Sequence, residues 1–266
     1  MKPIDYRIFL FALLAMSCNK PSKLQTNESH QLSKNDTYFH YSIWWAFVNK
    51  VFDADLSVAE LKKNGDTGLG SFNMLNGEMV MVNGIAYQIT EDGKVSEDAD
   101  ADKIVYANAA FFETEISSTI SGAGMGLDSL KSRVAKRVQS PNFFFVVLVR
   151  GKFDKIKLGG LAKQERPFKD GLDVLIPARP VFEAANISGT MVGFYCPEFI
   201  GNMAVKGFHF HFISDDKRYG GHVMELASSG ELNVEIDRKT DIHFYLPDND
   251  DFAAVGFDKQ FQYKKD

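Results

Sequence analysis

Apolar residues in this chain fall in short runs bounded by Gly, Asn and Pro, a pattern that predicts strands far more often than helices. Residues 78–82, 85–89 and 104–112 read as strands, and Val82-Asn83-Gly84-Ile85 marks a two-residue hairpin, because Asn and Gly accept the positive φ of a tight turn. Ser57-Val58-Ala59-Glu60 ahead of Leu61 is a capping-box pattern for a short helix that Asn64-Gly65 can end. Leu127, Leu130, Val134 and Val138 recur at helical spacing, which predicts an amphipathic helix over 128–139 closed by Pro141. The fully apolar stretch 143–149 predicts a strand covered on both faces. Beyond Lys163 the runs 180–184, 189–195, 203–213, 222–226, 232–236 and 242–246 are all strand-like. The predicted fold class is therefore α+β: an N-terminal mixed β-sheet with helices over 37–162, and a C-terminal antiparallel, barrel-like half over 163–266.

Within that β-rich half, His209 and His211 stand two residues apart in Gly207-Phe208-His209-Phe210-His211-Phe212-Ile213. Strand side chains alternate, so both imidazoles share one face. The polar segment 214–221 reads as a hairpin connection that returns His222 beside them. Three converging imidazoles suit zinc or another divalent transition metal, and a three-ligand site leaves a position open for substrate. Half-buried strand histidines hydrogen-bonded to backbone are the alternative; burying three of them unpaired is costly.

Composition narrows the classes of partner. With 266 residues and 45% hydrophobic content, the chain can build one large or two modest cores. A net charge of -5 with scattered Lys and Arg provides no field for a polyanion, so nucleic acid is excluded as the expected partner. At the N-terminus, Lys2 and Arg7 precede the apolar run 8–16, which ends in Ser17-Cys18. This is the layout of an export signal over 1–18, and a cysteine in that place resembles a bacterial lipoprotein signal, with Cys18 lipidated as a membrane anchor. Residues 19–36 are nearly devoid of apolar side chains and predict a flexible tether, and His30 and His40, in or beside it, receive no site role. Cys18 and Cys196 are the only cysteines, so once Cys18 is acylated the fold does not depend on an internal disulfide.

Taken in order, Gly68-Leu69-Gly70-Ser71-Phe72-Asn73-Met74-Leu75-Asn76-Gly77-Glu78-Met79, Tyr87-Gln88, Gln164-Glu165-Arg166-Pro167-Phe168, Gly189-Thr190-Met191-Val192-Gly193-Phe194, Gly207 to Phe212 and Gly220-Gly221-His222-Val223 together resemble acetolactate decarboxylase, over about residues 55–252. The resemblance implies a two-domain α/β fold, usually dimeric, with zinc held by three histidines and assisted by glutamates. It implies removal of CO2 from 2-hydroxy-2-methyl-3-oxobutanoate, a small oxygenated carboxylic acid, to give acetoin. By motif position His209, His211 and His222 become the zinc ligands and Glu78 the N-terminal active-site glutamate.

The chain departs from the family pattern at several positions. The family's arginine before the Gly-Thr-x-Val-Gly-Phe segment, suited to hold a substrate carboxylate, is Ser188 here. No glutamate follows Glu235 to supply the family's C-terminal acid, and Leu148 stands where many members carry a basic residue. Arg150, Arg179 and Arg218 are the candidates to replace the clamp, and Asp248, Asp250, Asp251 and Asp258 those to replace the acid. The expected function is a metal-dependent decarboxylase acting on 2-acetolactate. The alternative is a non-catalytic or functionally divergent exported relative that retains the metal-binding fold.

Overall fold

Chain-local chemistry explains most of the elements. The computed structural model describes residues 33–97 and 100–257. The predicted leader with Cys18, most of the predicted tether, and 258–266 with Asp258 lie outside the described residues. In chain order the elements are β1 (Thr37–Tyr41), α1 (Trp44–Val48), β2 (Leu56–Ser57), α2 (Val58–Leu61), β3 (Thr67–Phe72), β4 (Glu78–Val82), β5 (Ile85–Ile89), β6 (Val95–Glu97), β7 (Lys103–Ala110) and β8 (Ile116–Ile120). They continue with α3 (Leu127–Ala135), β9 (Phe144–Gly159), α4 (Leu172–Leu175), β10 (Val181–Cys196), β11 (Gly207–Ser214), β12 (Gly220–Lys239), β13 (Asp241–Tyr245) and α5 (Asp250–Ala254). Asn83 and Gly84, both at positive φ, turn β4 into β5. Ser57 and Glu60 form the complete capping box at the start of α2.

The strands make two sheets. The first has eight strands in the order β13-β1-β7-β3-β4-β5-β6, with β2 also on β7; β1 and β13 run parallel and the remaining pairs are antiparallel, so this sheet is mixed as expected. The second has five antiparallel strands in the order β11-β10-β9-β12-β8. The predicted barrel-like closure is not what forms. β11 and β12 touch over only three residue pairs, at 211–213 and 220–222, and β8 extends the sheet past β12. Sheet membership is also interleaved along the chain. β8 and β9 precede residue 163 yet belong to the second sheet, and β13 follows it yet belongs to the first.

Strand β9 is the shared middle layer. Phe144, Val146 and Leu148 pack with Tyr38, Leu69, Val80 and Ile89 of the first sheet, whereas Phe145, Val147 and Val149 pack with Leu130 and Val134 of α3 and with Phe210 and Phe212. Period-two alternation with both sides covered explains its unbroken apolar sequence. At the far side of the first sheet, Val58 and Leu61 of α2 cover Met79, Met81 and Ala107. The tether expected to run to Asp36 is already held from Asn35: the Asn35 carbonyl accepts from Lys239 Nζ and the Asp36 carbonyl from Thr240 N. His40, next to it, is wholly buried.

Candidate functional site

Alternation along β11 sorts its aromatic and imidazole side chains to opposite sides. Phe210 and Phe212 enter the core beneath α3, while Ile213 joins the core shared with the first sheet, and His209 and His211 share its side. His222 lies directly across from His211 in the antiparallel pairing of β11 with β12, and on its other flank it pairs with Gly159 of β9. The sequence thus places three imidazoles on neighbouring strands, and one ligand nitrogen from each falls within 4.8 Å of the other two. His209 Nε2 is 3.1 Å from His222 Nδ1.

The first sheet supplies the opposite wall. His211 Nδ1 lies 2.9 Å from the Met79 carbonyl oxygen, which can only accept, so Nδ1 carries the proton and Nε2 keeps its lone pair. That Nε2 is buried, without a hydrogen-bond partner, 3.7 Å from Glu78 Oε2. Glu78 is placed by its own turn: Gly77 at φ +97 leads into β4, and Ser71 Oγ donates to the Gly77 carbonyl. A cavity of about 680 Å³ opens over these groups, and it is lined also by Tyr106, Lys131, Arg179 and Lys206.

Burial sets the protonation states. Loss of water pushes the Glu78 carboxyl up to about 7, against an opposing pull from Arg179. The same loss lowers His211 to about 4 and holds His209 and His222 well below the ordinary imidazole range, with the neighbouring imidazoles and Arg179 adding to the effect in both. The three rings are therefore neutral at physiological pH, the form that ligates metals. Buried nitrogens without partners, His209 Nδ1 and His211 Nε2, together with a backbone carbonyl fixing one tautomer, fit a divalent transition metal of the zinc type.

Ser188 does not join this group. It is exposed, pairs with Lys152 of β9, and does not line the cavity. Val192, four residues further along β10, is the residue opposite His211, so Ser188 lies about 13 Å along the strand from that level. A motif fixes order along the chain and says nothing of that separation. Of the three arginines considered as replacements, Arg179 alone lines the cavity; Arg150 forms an ion pair with Glu235, and Arg218 is an exposed residue of the β11–β12 turn. Asp248, Asp250 and Asp251 do not line it, and Asp251 instead pairs with Arg166 at 2.6 Å. Leu148 is a buried core residue of β9. Lys131, Lys206 and Tyr106 carry no motif that marks them as cavity residues, because each reaches the cavity from an element recognisable only by hydrophobic pattern or from a loop.

Comparison with known proteins places this geometry among relatives. The family model described as Alpha-acetolactate decarboxylase matches residues 38–259. Alpha-acetolactate decarboxylase of Bacillus licheniformis is 32% identical over 224 residues, which is 84% of this chain and 87% of the relative. The protein of the same description from Brevibacillus brevis is 35% identical over 215 residues, 81% of this chain and 74% of the relative. The crystal structure of alpha-acetolactate decarboxylase from Bacillus subtilis strain 168 superposes with a TM-score of 0.80 at 28% identity, covering 84% of this chain and 94% of that one.

Proposed function

Since the chain belongs to the alpha-acetolactate decarboxylase family, we propose that it converts 2-acetolactate to acetoin and CO2 in the cavity bounded by His209, His211, His222 and Glu78. The observation that carries the reading is the convergence of three neutral imidazoles, one of which, His211, lies 3.7 Å from the buried Glu78 carboxyl group. His209, His211 and His222 would hold a zinc ion or another divalent transition metal. Such an ion supplies Lewis-acid stabilisation of negative charge on the substrate's hydroxyl and ketone oxygens.

The residues of the chain account for the remaining steps. Breaking the bond to the carboxylate releases neutral CO2 and leaves its electron pair on the adjacent carbon, delocalised onto the ketone oxygen as an enediolate. That carbon must then gain a proton. Glu78, pushed up to about 7 by burial, retains a proton over much of the neutral range and is the group placed to deliver it to carbon. Removal of water by the surrounding apolar walls, among them Phe47 and Leu172, strengthens each of these interactions. In its cellular setting, we read the protein as an exported homodimer anchored through a lipidated Cys18, on the strength of the leader sequence and the family resemblance.

The test is acetoin formation from racemic acetolactate by the purified protein with added zinc, beside His209→Ala and Glu78→Gln. Zinc-dependent turnover is expected, abolished in His209→Ala and reduced by roughly 100- to 10,000-fold in Glu78→Gln. Stoichiometric metal without turnover sinks the decarboxylase reading in favour of a non-catalytic relative.

A further inference from the structure

One cation in the cavity has a setting that its own loop does not explain. Arg179 stands in the connection between α4 and β10, two residues before Val181, which pairs with Gly159 of β9. Its side chain folds back over that glycine. A Cβ built on Gly159 would lie 3.0 Å from Arg179 Nε and 3.1 Å from Arg179 Cδ. Backbone conformation does not require glycine here, since Gly159 is outside the positive-φ set; space does. Gly159 in turn pairs with His222, so the arginine stem covers the strand position next to one of the three imidazoles. Arg179 makes no side-chain hydrogen bond or ion pair among the described residues, and its Nε is buried without a partner while the residue lines the cavity. A guanidinium whose Nε is buried, and which makes no ion pair although it lies within electrostatic reach of the Glu78 carboxyl, is set up to receive a carboxylate from a ligand.

We propose that Arg179 binds the substrate carboxylate, and that Gly159 is the gap in β9 that lets an arginine from a distant loop do so. The proposal rests on the decarboxylase reading for the identity of the acid and on the geometry alone for the placement of the clamp. Lys131 and Lys206 line the same cavity, but Lys206 is engaged by Glu198 at 3.5 Å, and neither ammonium is seated against a strand glycine as the Arg179 stem is. The planar guanidinium also matches a carboxylate in two parallel hydrogen bonds, which an ammonium cannot do. Because the carboxylate departs as uncharged CO2, its contact with Arg179 is strongest before the reaction and fades as the bond breaks. Removing Arg179 therefore raises KM more than it lowers kcat.

Two ligands separate a carboxylate clamp from general damage: 2-hydroxy-2-methylpropanoate, which keeps the hydroxy acid, and acetoin, which lacks the carboxylate. Calorimetric titration of each into the zinc-loaded full chain is compared among wild type, Arg179→Gln, Arg179→Lys, Gly159→Ala and Lys131→Gln, alongside KM and kcat for acetolactate. In Arg179→Gln the acid is expected to bind on the order of ten- to a hundred-fold more weakly, with acetoin affinity changed less than about two-fold. Arg179→Lys should fall between, and Gly159→Ala, which leaves the guanidinium but displaces it, should weaken the acid selectively. The proposal is overturned if wild type fails to bind the acid, if acid and acetoin affinities fall together in Arg179→Gln, if neither falls, or if Lys131→Gln alone produces the selective loss. Selective acid binding without turnover in the wild type leaves Arg179 as an acid-binding residue and removes the decarboxylase reading. Turnover with an unchanged KM in Arg179→Gln does the reverse.

Discussion

Acidification from about pH 7.5 to about pH 5 is expected to cost this protein about 2 kcal/mol of stability through His40 alone. His40 is wholly buried, with the Phe244 ring stacked at 5.0 Å and Tyr106 Oη 3.2 Å from its Nε2. Loss of water lowers its pKa to about 3, outweighing the nearby backbone groups that favour the charged ring. In the unfolded chain the same imidazole titrates near 6.5. Between those two values the unfolded state takes up a proton that the native state refuses, so stability is complete above about 6.5 and declines by about 1.4 kcal/mol per pH unit as pH falls towards 3. At about pH 5 the unfolded ring is almost fully protonated and the native ring almost fully neutral, which gives the figure of about 2 kcal/mol. Urea denaturation followed by circular dichroism at both pH values, in wild type and in His40→Gln, measures it. The other buried histidines contribute equally to both proteins and cancel in the difference. If the variant loses as much stability on acidification as wild type, to within about 0.5 kcal/mol, the argument is refuted.

Three further outcomes follow from features outside the imidazole cluster. Ser188→Ala should leave kcat/KM for acetolactate within about two-fold and stability within about 0.5 kcal/mol, because Ser188 is exposed and away from the cavity; a ten-fold loss of kcat/KM would restore it to the site. Gly193→Ala should destabilise by about 1–3 kcal/mol in the same denaturation assay, since the new Cβ would stand 2.1 Å from Phe210 Cε1. Phe210 lies between two of the imidazoles, so zinc affinity measured by competition with a chelator should drop as well, and retention of both properties would contradict the packing described. Ser57→Ala should cost about 1 kcal/mol by removing the cap of α2, with no change in zinc content; a neutral result would show that the capping box contributes nothing there.

What could be read from residues alone was whatever period and turn chemistry determine locally. β4 and β5 follow directly from alternating apolar positions around Asn83-Gly84, and the shared face of His209 and His211 follows from their spacing. β3 went unpredicted as a strand because Gly68 and Gly70 dilute its apolar signal; both are glycine because β7 approaches within 2.7 Å and 2.1 Å of where a Cβ would stand. The runs 180–184 and 189–195 belong to one strand, β10, which passes through Asn186 at positive φ. Likewise 222–226 and 232–236 belong to β12, whose register shifts near Ser228 gave the sequence a false break. Arg179 could be named among other arginines but not placed, because it sits outside the strands and its position depends on an empty volume above a glycine on another strand. Ser188 shows the converse: a motif match identified a position whose side chain the fold sends elsewhere.

The interleaved strand membership bears on how this chain tolerates scission. A cut near residue 162 leaves the upstream fragment holding β8 and β9 without β10, β11 and β12, and deprives β1 of its parallel neighbour β13. Neither fragment retains a complete sheet, so neither is expected to be autonomous. Mixed together, each carries the strand edges the other lacks, a natural basis for a split reporter reconstituted by fragment complementation.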